Sequence, residues 1–115
     1  MGVKGAAYMN ENIKAELDKI VSTLAATGLV TKVILFGSYA RGEETPRSDI
    51  DLCVLTSVKD KRPLDIGIEL LVKLTDVQET ALDLIPFNQD EFSARAKCPG
   101  TFQNDIMKHG VVLYE

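Results

Sequence analysis

The stretch FGSYARGEETPRSDIDL, residues 36–52, joins two apolar runs and places two aspartates, Asp49 and Asp51, at the start of the second run. The run before it, KVILF (32–36), is β-branched and aromatic and predicts a buried strand, and DIDLCVLT (49–56) predicts the next one. Side chains at positions i and i+2 of a strand share a face, so the two aspartates are expected to point the same way. Like charges so placed repel each other unless a cation or a proton stands between them.

Working outward from this stretch, apolar spacing and turn residues predict the other elements. In chain order they are a helix over about 10–27, a strand over 32–36, one or two helical turns over 39–42, a strand over 49–56, a helix over about 63–76, a strand over 80–86, a helix over about 88–97, a short helix ending near 110 and a strand over 111–115. The helix over 63–76 is expected to bury Ile66, Leu70, Leu71 and Leu74. This order predicts an α/β (α+β) layer fold with a mixed sheet flanked by helices, as a single domain over residues 1–115.

Composition narrows the function. The formal net charge of −4 argues against binding long nucleic acids, which requires clustered Lys and Arg. The sequence has no run of eighteen apolar residues and no signal peptide, so we expect no membrane association and a cytoplasmic location. Cys53 and Cys98 show no metal-binding spacing and are expected to be buried or incidental. A single histidine, His109, makes a histidine-rich metal site or a catalytic triad improbable.

A third acidic residue, Asp83, stands among apolar neighbours in ALDLI (81–85). If its strand lies beside that of Asp51, three carboxylates converge; the alternative is an ordinary charge on an edge strand. Carboxylate oxygens select Mg²⁺ or Mn²⁺. Two such ions, about 3.5–4 Å apart, activate an attacking hydroxyl and stabilise the leaving oxygen in phosphoryl or nucleotidyl transfer.

The glycine and serine ahead of the aspartates predict a phosphate site. Gly37 allows a ligand to approach the backbone at the end of a strand, and Ser38 adds a hydroxyl at the start of a helical turn. Arg41, Arg47 and Ser48 are candidates for contacting a triphosphate, although both arginines are equally well explained as solvated loop charges. The spacings of a P-loop and of a dinucleotide-binding fingerprint are both absent from the sequence.

Gly37-Ser38, ten residues and then Asp49-x-Asp51 resemble the signature of the DNA polymerase β-like nucleotidyltransferase superfamily. GSYARGEETPRSDIDL and the closing GVVLYE are similar to its minimal nucleotidyltransferase (MNT) branch. The resemblance implies the nucleotidyltransferase fold, two divalent metals on Asp49, Asp51 and Asp83, and transfer of a nucleoside monophosphate from a nucleoside triphosphate to a hydroxyl that Asp83 helps to activate.

The same resemblance implies a partner. Larger members carry an added domain that holds the acceptor, so the acceptor here is expected on another subunit or another protein. Minimal members are commonly antitoxins that transfer AMP from ATP to a tyrosine of a HEPN-domain toxin. Two alternatives remain open: a non-catalytic antitoxin that blocks its toxin by contact, and transfer to a small molecule such as an antibiotic, with a second copy of the chain completing the acceptor site.

Overall fold

The computed structural model describes residues 11–115, which form five helices and one four-stranded sheet. In chain order these are α1 (Glu11–Ala26), β1 (Lys32–Phe36), α2 (Gly37–Arg41), β2 (Ile50–Thr56), α3 (Pro63–Lys73), β3 (Leu82–Asn88), α4 (Gln89–Ala96), α5 (Phe102–His109) and β4 (Val111–Tyr114). None of these helices is long and apolar enough to span a membrane. The predicted start of the first helix at Asn10 lies outside the described residues.

The sheet is mixed, as predicted, with the strand order β3-β2-β1-β4. Strand β1 runs antiparallel to both of its neighbours, β2 and β4. Strands β2 and β3 are parallel, because α3 carries the chain back to the starting end of the sheet between them. The end of β1 and the starts of β2 and β3 therefore lie at the same end of the sheet.

Each face of the sheet is covered by helices. On the first face, Leu35 and Leu52 pack with the apolar sides of α1 and α3. On the second face, Cys53 and Leu55 pack with Phe92 of α4 and Ile106 of α5. Burial raises the pKa of the Cys53 thiol to about 12, which agrees with the prediction of a structural cysteine. The alternation of β2 thus separates two cores.

Three elements have boundaries that differ from the sequence predictions by two residues or more. Helix α2 begins at Gly37, two residues early, and α3 ends at Lys73, three residues early. Strand β3 is displaced by two residues at both ends and continues through Pro86 to Asn88. Proline is tolerated there because β3 is an edge strand, which has no further partner strand among residues 11–115. Asn88 still caps α4 as predicted, since its side chain accepts from the amides of Asp90 and Glu91.

Helix α3 has apolar side chains on both its buried and its exposed sides. Ile66, Leu70 and Leu74 are buried as predicted, but the prediction for Leu71 is wrong, because this side chain is 37% exposed. It joins a solvent-facing apolar set made up of Leu64, Ile68, Leu71 and Val72. These positions recur at helical spacing, so a hydrophobic pattern alone does not identify the buried face.

A close contact between α3 and β3 fixes the position of the strand that carries Asp83. A Cβ atom at Gly67 would lie 2.8 Å from Cγ of Pro86, so the helix approaches β3 over a glycine. Alanine is normally preferred to glycine inside a helix by about 1 kcal/mol. We expect Gly67→Ala to destabilise the protein instead, by about 1–3 kcal/mol, because the proline ring cannot rotate away.

Urea denaturation measures this effect. Val72→Ala is the matched control, because Val72 is 68% exposed on the same helix. The control is expected to change the free energy of unfolding by less than about 0.5 kcal/mol. A Gly67→Ala variant as stable as the wild type would show that α3 moves away from β3 at no cost.

A buried glutamate ties α1 to the approach of β3. Oε2 of Glu16 accepts hydrogen bonds from the backbone amides of Glu79 (2.8 Å) and Thr80 (2.7 Å), and Oε1 accepts one from the Thr80 hydroxyl (2.7 Å). Burial acts to raise the pKa of Glu16, but these hydrogen bonds to the ionised form outweigh it and the pKa is lowered. The chain is thereby held three residues before Asp83.

The lowered pKa of Glu16 predicts a pH-dependent contribution to stability. This contribution is present above the ordinary glutamate pKa of about 4.5 and is lost as the pH falls through the lower folded-state value. We expect Glu16→Gln to reduce the free energy of unfolding at pH 7 by about 1.5–3 kcal/mol. In urea titrations between pH 7 and pH 3, the difference from the wild type should shrink below about pH 4.5. A difference independent of pH would contradict the assigned role of the carboxylate.

Candidate active site

Asp51 and Asp83 lie side by side at the starting ends of β2 and β3. They are register partners in the parallel ladder, so their backbones are about 4.8 Å apart and their side chains share the second face. The condition set by the sequence, that the strand of Asp83 lies beside that of Asp51, is therefore met. The pKa of Asp51 is raised, first by burial and then by the negative charges of Asp83 and Asp49 and a hydrogen bond to Asp83.

Asp49 lies just before β2 rather than within it and is exposed. The sequence predicts that Asp49 and Asp51 point the same way because strand side chains alternate. Asp49 precedes the strand, so this alternation does not fix the direction of its side chain. Its charge nevertheless contributes to the raised pKa of Asp51, which places it in the same electrostatic cluster. Asp49, Asp51 and Asp83 are called the acidic cluster below. The positive charge of Arg41 acts in the opposite direction and lowers the pKa of Asp51.

These carboxylates fit a hard divalent cation as a partial set of ligands. Within residues 11–115, no three acidic, cysteine or histidine side chains are grouped closely enough to form a complete protein-only metal site. Mg²⁺ is usually held by one or two carboxylates, with water and substrate phosphate filling its other positions. The touching pair of Asp51 and Asp83, with Asp49 nearby, therefore suits an ion that arrives with a phosphate ligand.

Gly37 brings the backbone directly against this carboxylate pair. Its φ of +73° lies in the left-handed region, and a Cβ atom there would overlap Oδ2 of Asp51 and lie 3.1 Å from its Cγ. Helix α2 starts at this glycine, and the preceding residue, Phe36, provides no side-chain cap for its first amides. Those amides, with the partly exposed Ser38 beside them, can donate hydrogen bonds to an anionic ligand next to Asp51.

The remaining predicted phosphate ligands lie on the surface near the acidic cluster. Arg41 Nε donates to Glu43 Oε1 at 2.6 Å, and the arginine side chain is 54% exposed. Ser48 Oγ accepts from the backbone amide of Thr45 at 2.8 Å, so this hydroxyl also builds the turn before β2. Arg47 is exposed in that turn. A role for these three residues in binding a triphosphate stays a prediction.

Two phenylalanines were not identified from the sequence as site residues: Phe36, the neighbour of Asp51, and Phe102, which packs on Phe36. Phe36 is the register partner of Asp51 across the antiparallel β1–β2 pair and packs on the second face. Its ring meets that of Phe102 edge to face, with centroids 5.6 Å apart and an angle of 84°. The alternation of β1 could have placed Phe36 beside Asp51, but no local pattern places α5, and with it Phe102, over the same strands.

The fold and this site define a class of protein, and comparison with known families agrees. Residues 14–113 match the nucleotidyltransferase domain. The chain therefore belongs to the nucleotidyltransferase domain family. A crystal structure from Sulfolobus solfataricus, described as a "putative nucleotidyltransferase", has the same fold, with a TM-score of 0.58 at 21% identity over 85% of this chain and 76% of the other.

Two proteins from Methanocaldococcus jannaschii are similar to this chain in sequence. One, named "Putative protein adenylyltransferase MJ0604", is 34% identical over 76% of this chain and 81% of its own length. The other, named "Putative protein adenylyltransferase MJ1379", is 37% identical over 64% of this chain and 73% of its own. Nucleotidyl transfer is thus the activity of the family to which the chain belongs.

Proposed function

We propose that this chain transfers the AMP group of ATP to a hydroxyl group of a partner protein, with Mg²⁺ or Mn²⁺ held by Asp49, Asp51 and Asp83. The observation that supports this best is the pairing of Asp51 with Asp83 directly beside Gly37. A carboxylate pair that is destabilised by its own charge suits a cation, and the adjoining backbone suits a phosphate. ATP and the protein acceptor are supported by the names of the two archaeal relatives.

Each group at the site has a separate task in this proposal. The amides at the start of α2 and the Ser38 hydroxyl bind the β- and γ-phosphates, and Arg41 and Arg47 balance their charge. Asp49, Asp51 and Asp83 would hold two divalent ions, which when bound polarise the α-phosphate and neutralise the leaving pyrophosphate. Asp51 and Asp83 are register partners on adjacent strands, so the sheet holds these two ligands in a fixed relative position.

The transfer step balances with groups that the chain and its substrates supply. The acceptor oxygen forms a bond to the α-phosphorus of ATP while the bond from that phosphorus to the β-bridging oxygen breaks. Pyrophosphate leaves with the electron pair of the broken bond. The proton of the acceptor hydroxyl passes to the Asp83 carboxylate, which is exposed at the sheet edge and accessible to an incoming group. The product is a phosphodiester between AMP and the acceptor.

The acceptor that we propose is a tyrosine of a HEPN-domain toxin, so that AMP transfer silences the toxin and the chain acts as an antitoxin. A tyrosine hydroxyl is a suitable acceptor because its ordinary pKa of about 10 makes it easier to deprotonate than serine or threonine. The toxin itself is proposed from the resemblance to the MNT branch.

Labelled ATP tests the reaction and the acceptor together. The protein is incubated with Mg²⁺, a HEPN-domain protein encoded beside it and ATP labelled either at the α- or at the γ-phosphate. We expect label from α-labelled ATP alone on the HEPN protein, a mass increase of one AMP located on a tyrosine, and loss of toxicity. EDTA should abolish the transfer.

The same assay separates the competing functions. Label from γ-labelled ATP would indicate phosphoryl transfer and overturn the proposed reaction. Neutralisation of the toxin without any label would favour a non-catalytic antitoxin. Transfer to a small molecule such as an antibiotic, but not to protein, would overturn the proposed acceptor while leaving nucleotidyl transfer in place.

A further inference from the structure

An aromatic surface adjoins the acidic cluster on the second face of the sheet. Because β1 lies beside β2 and β2 beside β3, Phe36, Asp51 and Asp83 form a row across the sheet. Cross-strand partners place their Cβ atoms about 4.5–5.5 Å apart. Phe36 and Asp83 are thus the immediate cross-strand neighbours of Asp51 on its two sides.

Phe102, the first residue of α5, packs against the Phe36 end of this row. Its ring centroid is 5.6 Å from that of Phe36 on β1 and 6.5 Å from that of Phe87 on β3, so it bridges the intervening strand β2. On β2, the next residue after Asp51 on this face is Cys53, which is fully buried. Phe102 therefore lies near the boundary between the partly exposed end of this face, at Asp51, and its buried core, at Cys53.

The side chain of Phe102 is only partly covered by this packing. It is 47% exposed, although Phe36 and Phe87 both contact it. A large aromatic side chain is usually more deeply buried, and exposed apolar surface next to a polar site often marks a binding surface. One side of the ring thus packs on the protein, while the rest faces solvent.

The geometry of an in-line displacement says which part of the substrate meets this ring. Pyrophosphate leaves on the side of Gly37 and the acceptor hydroxyl arrives on the side of Asp83, so the reaction axis runs across the strands. The nucleoside is attached to the α-phosphorus roughly perpendicular to this axis. One direction perpendicular to the axis runs along β2 over the second face, from Asp51 to the strand segment that lies between Phe36 and Phe87, the two rings that Phe102 contacts.

We propose that the ring of Phe102, supported by Phe36 and Phe87, is the surface on which the base of the donor nucleotide stacks. The assignment rests on the proposed function, because the direction of the nucleoside follows from the placement of the acceptor and the pyrophosphate. Stacking on a phenyl ring selects for the area of the base rather than for its hydrogen-bonding groups. Phe102 therefore favours purine over pyrimidine nucleotides and does not by itself distinguish adenine from guanine.

Binding measurements on Phe102 variants test this assignment by separating the base from the phosphates. The dissociation constants of Mg²⁺-ATP and of Mg²⁺-tripolyphosphate are measured by calorimetry for each protein. Loss of one stacked ring costs about 1–3 kcal/mol, so Phe102→Ala should weaken ATP binding by about 5- to 150-fold. Tripolyphosphate, which has no base, should bind Phe102→Ala as it binds the wild type.

Three further variants complete the test. Phe102→Trp keeps a flat ring and should retain ATP affinity, whereas Phe102→Leu keeps apolar packing without a ring and should behave like alanine. Met107→Ala is the matched control, because Met107 is 46% exposed on the same helix but lies outside the aromatic cluster. It should bind both ligands normally.

The outcomes separate this assignment from the proposed function. Unchanged ATP affinity in Phe102→Ala and Phe102→Leu, or an equal loss for ATP and tripolyphosphate, would overturn the role of Phe102 while leaving nucleotidyl transfer intact. If the wild type bound neither ligand, the proposed function would fail and the stacking surface with it.

Discussion

Asp51→Asn is expected to lower the rate of AMP transfer by about a thousandfold or more. Asp51 is central in the acidic cluster, since it lies beside Asp83 on one side and the Gly37 backbone on the other. Metal-assisted charge stabilisation is worth several kcal/mol, and each 1.36 kcal/mol in the barrier changes the rate tenfold. The measurement is single-turnover transfer from α-labelled ATP at saturating nucleotide.

The fold should survive this substitution. The pKa of Asp51 is raised by its burial and by the charges of Asp83 and Asp49, so ionisation of this group costs stability at neutral pH. An uncharged asparagine is therefore expected to leave the melting temperature in the absence of ligand unchanged or higher. Mg²⁺-ATP should raise the melting temperature of the wild type but not that of the variant.

Asp60→Asn is the matched control for charge. Asp60 is an exposed carboxylate that follows the far end of β2, away from the acidic cluster. This variant is expected to transfer AMP at the wild-type rate. If Asp51→Asn were as active as Asp60→Asn, the assignment of the acidic cluster as the reaction centre would be wrong.

Gly37→Ala is expected to lose nucleotide binding and to lower the free energy of unfolding by more than about 2 kcal/mol. Two penalties act at this position. Alanine at a φ of +73° costs about 1–2 kcal/mol relative to glycine. In addition, the new methyl group would occupy the space of the Asp51 carboxylate and displace it from its position beside Asp83.

The protein contains a control that isolates the second penalty. Gly28 has a φ of +72°, and a Cβ atom there would meet nothing within 4 Å. Gly28→Ala therefore carries the backbone cost alone and should keep a normal thermal shift with Mg²⁺-ATP. Urea denaturation and thermal shifts are measured on both variants. Equal losses of stability, with nucleotide binding retained in both, would show that the contact between Gly37 and Asp51 is unimportant.

Much of this fold follows from local patterns. The helix over about 10–27 was predicted from its apolar spacing, and the five apolar residues that recur at this spacing are buried in α1: Ile13, Leu17, Ile20, Val21 and Leu24. The short runs of β1 and β2 were found because they are apolar and bounded by turn residues. The Gly-Ser and Asp-x-Asp spacing predicted that the two motifs lie together, and the structure places Gly37 against Asp51 at the ends of adjoining strands.

The remaining features depend on contacts between distant parts of the chain. The start of β3 was misplaced because the amides of Glu79 and Thr80 bond to Glu16 rather than to a neighbouring strand. Its far end was misplaced because Pro86 breaks a central strand but not an edge strand. The aromatic surface was missed because Phe36 and Phe102 are 66 positions apart in the sequence and meet only through the packing of α5 on β1.

The parallel pairing of Asp51 with Asp83 also bears on how the gene can change without loss of the site. Insertions or deletions in the segment between α3 and β3 leave the two aspartates opposite each other as long as the strands pair as before. Deletion of a single codon between Asp83 and the middle of β3 would move the aspartate to the opposite face, away from the phosphate. Length variation among natural variants should therefore concentrate in the connecting segments and be absent from the two strands.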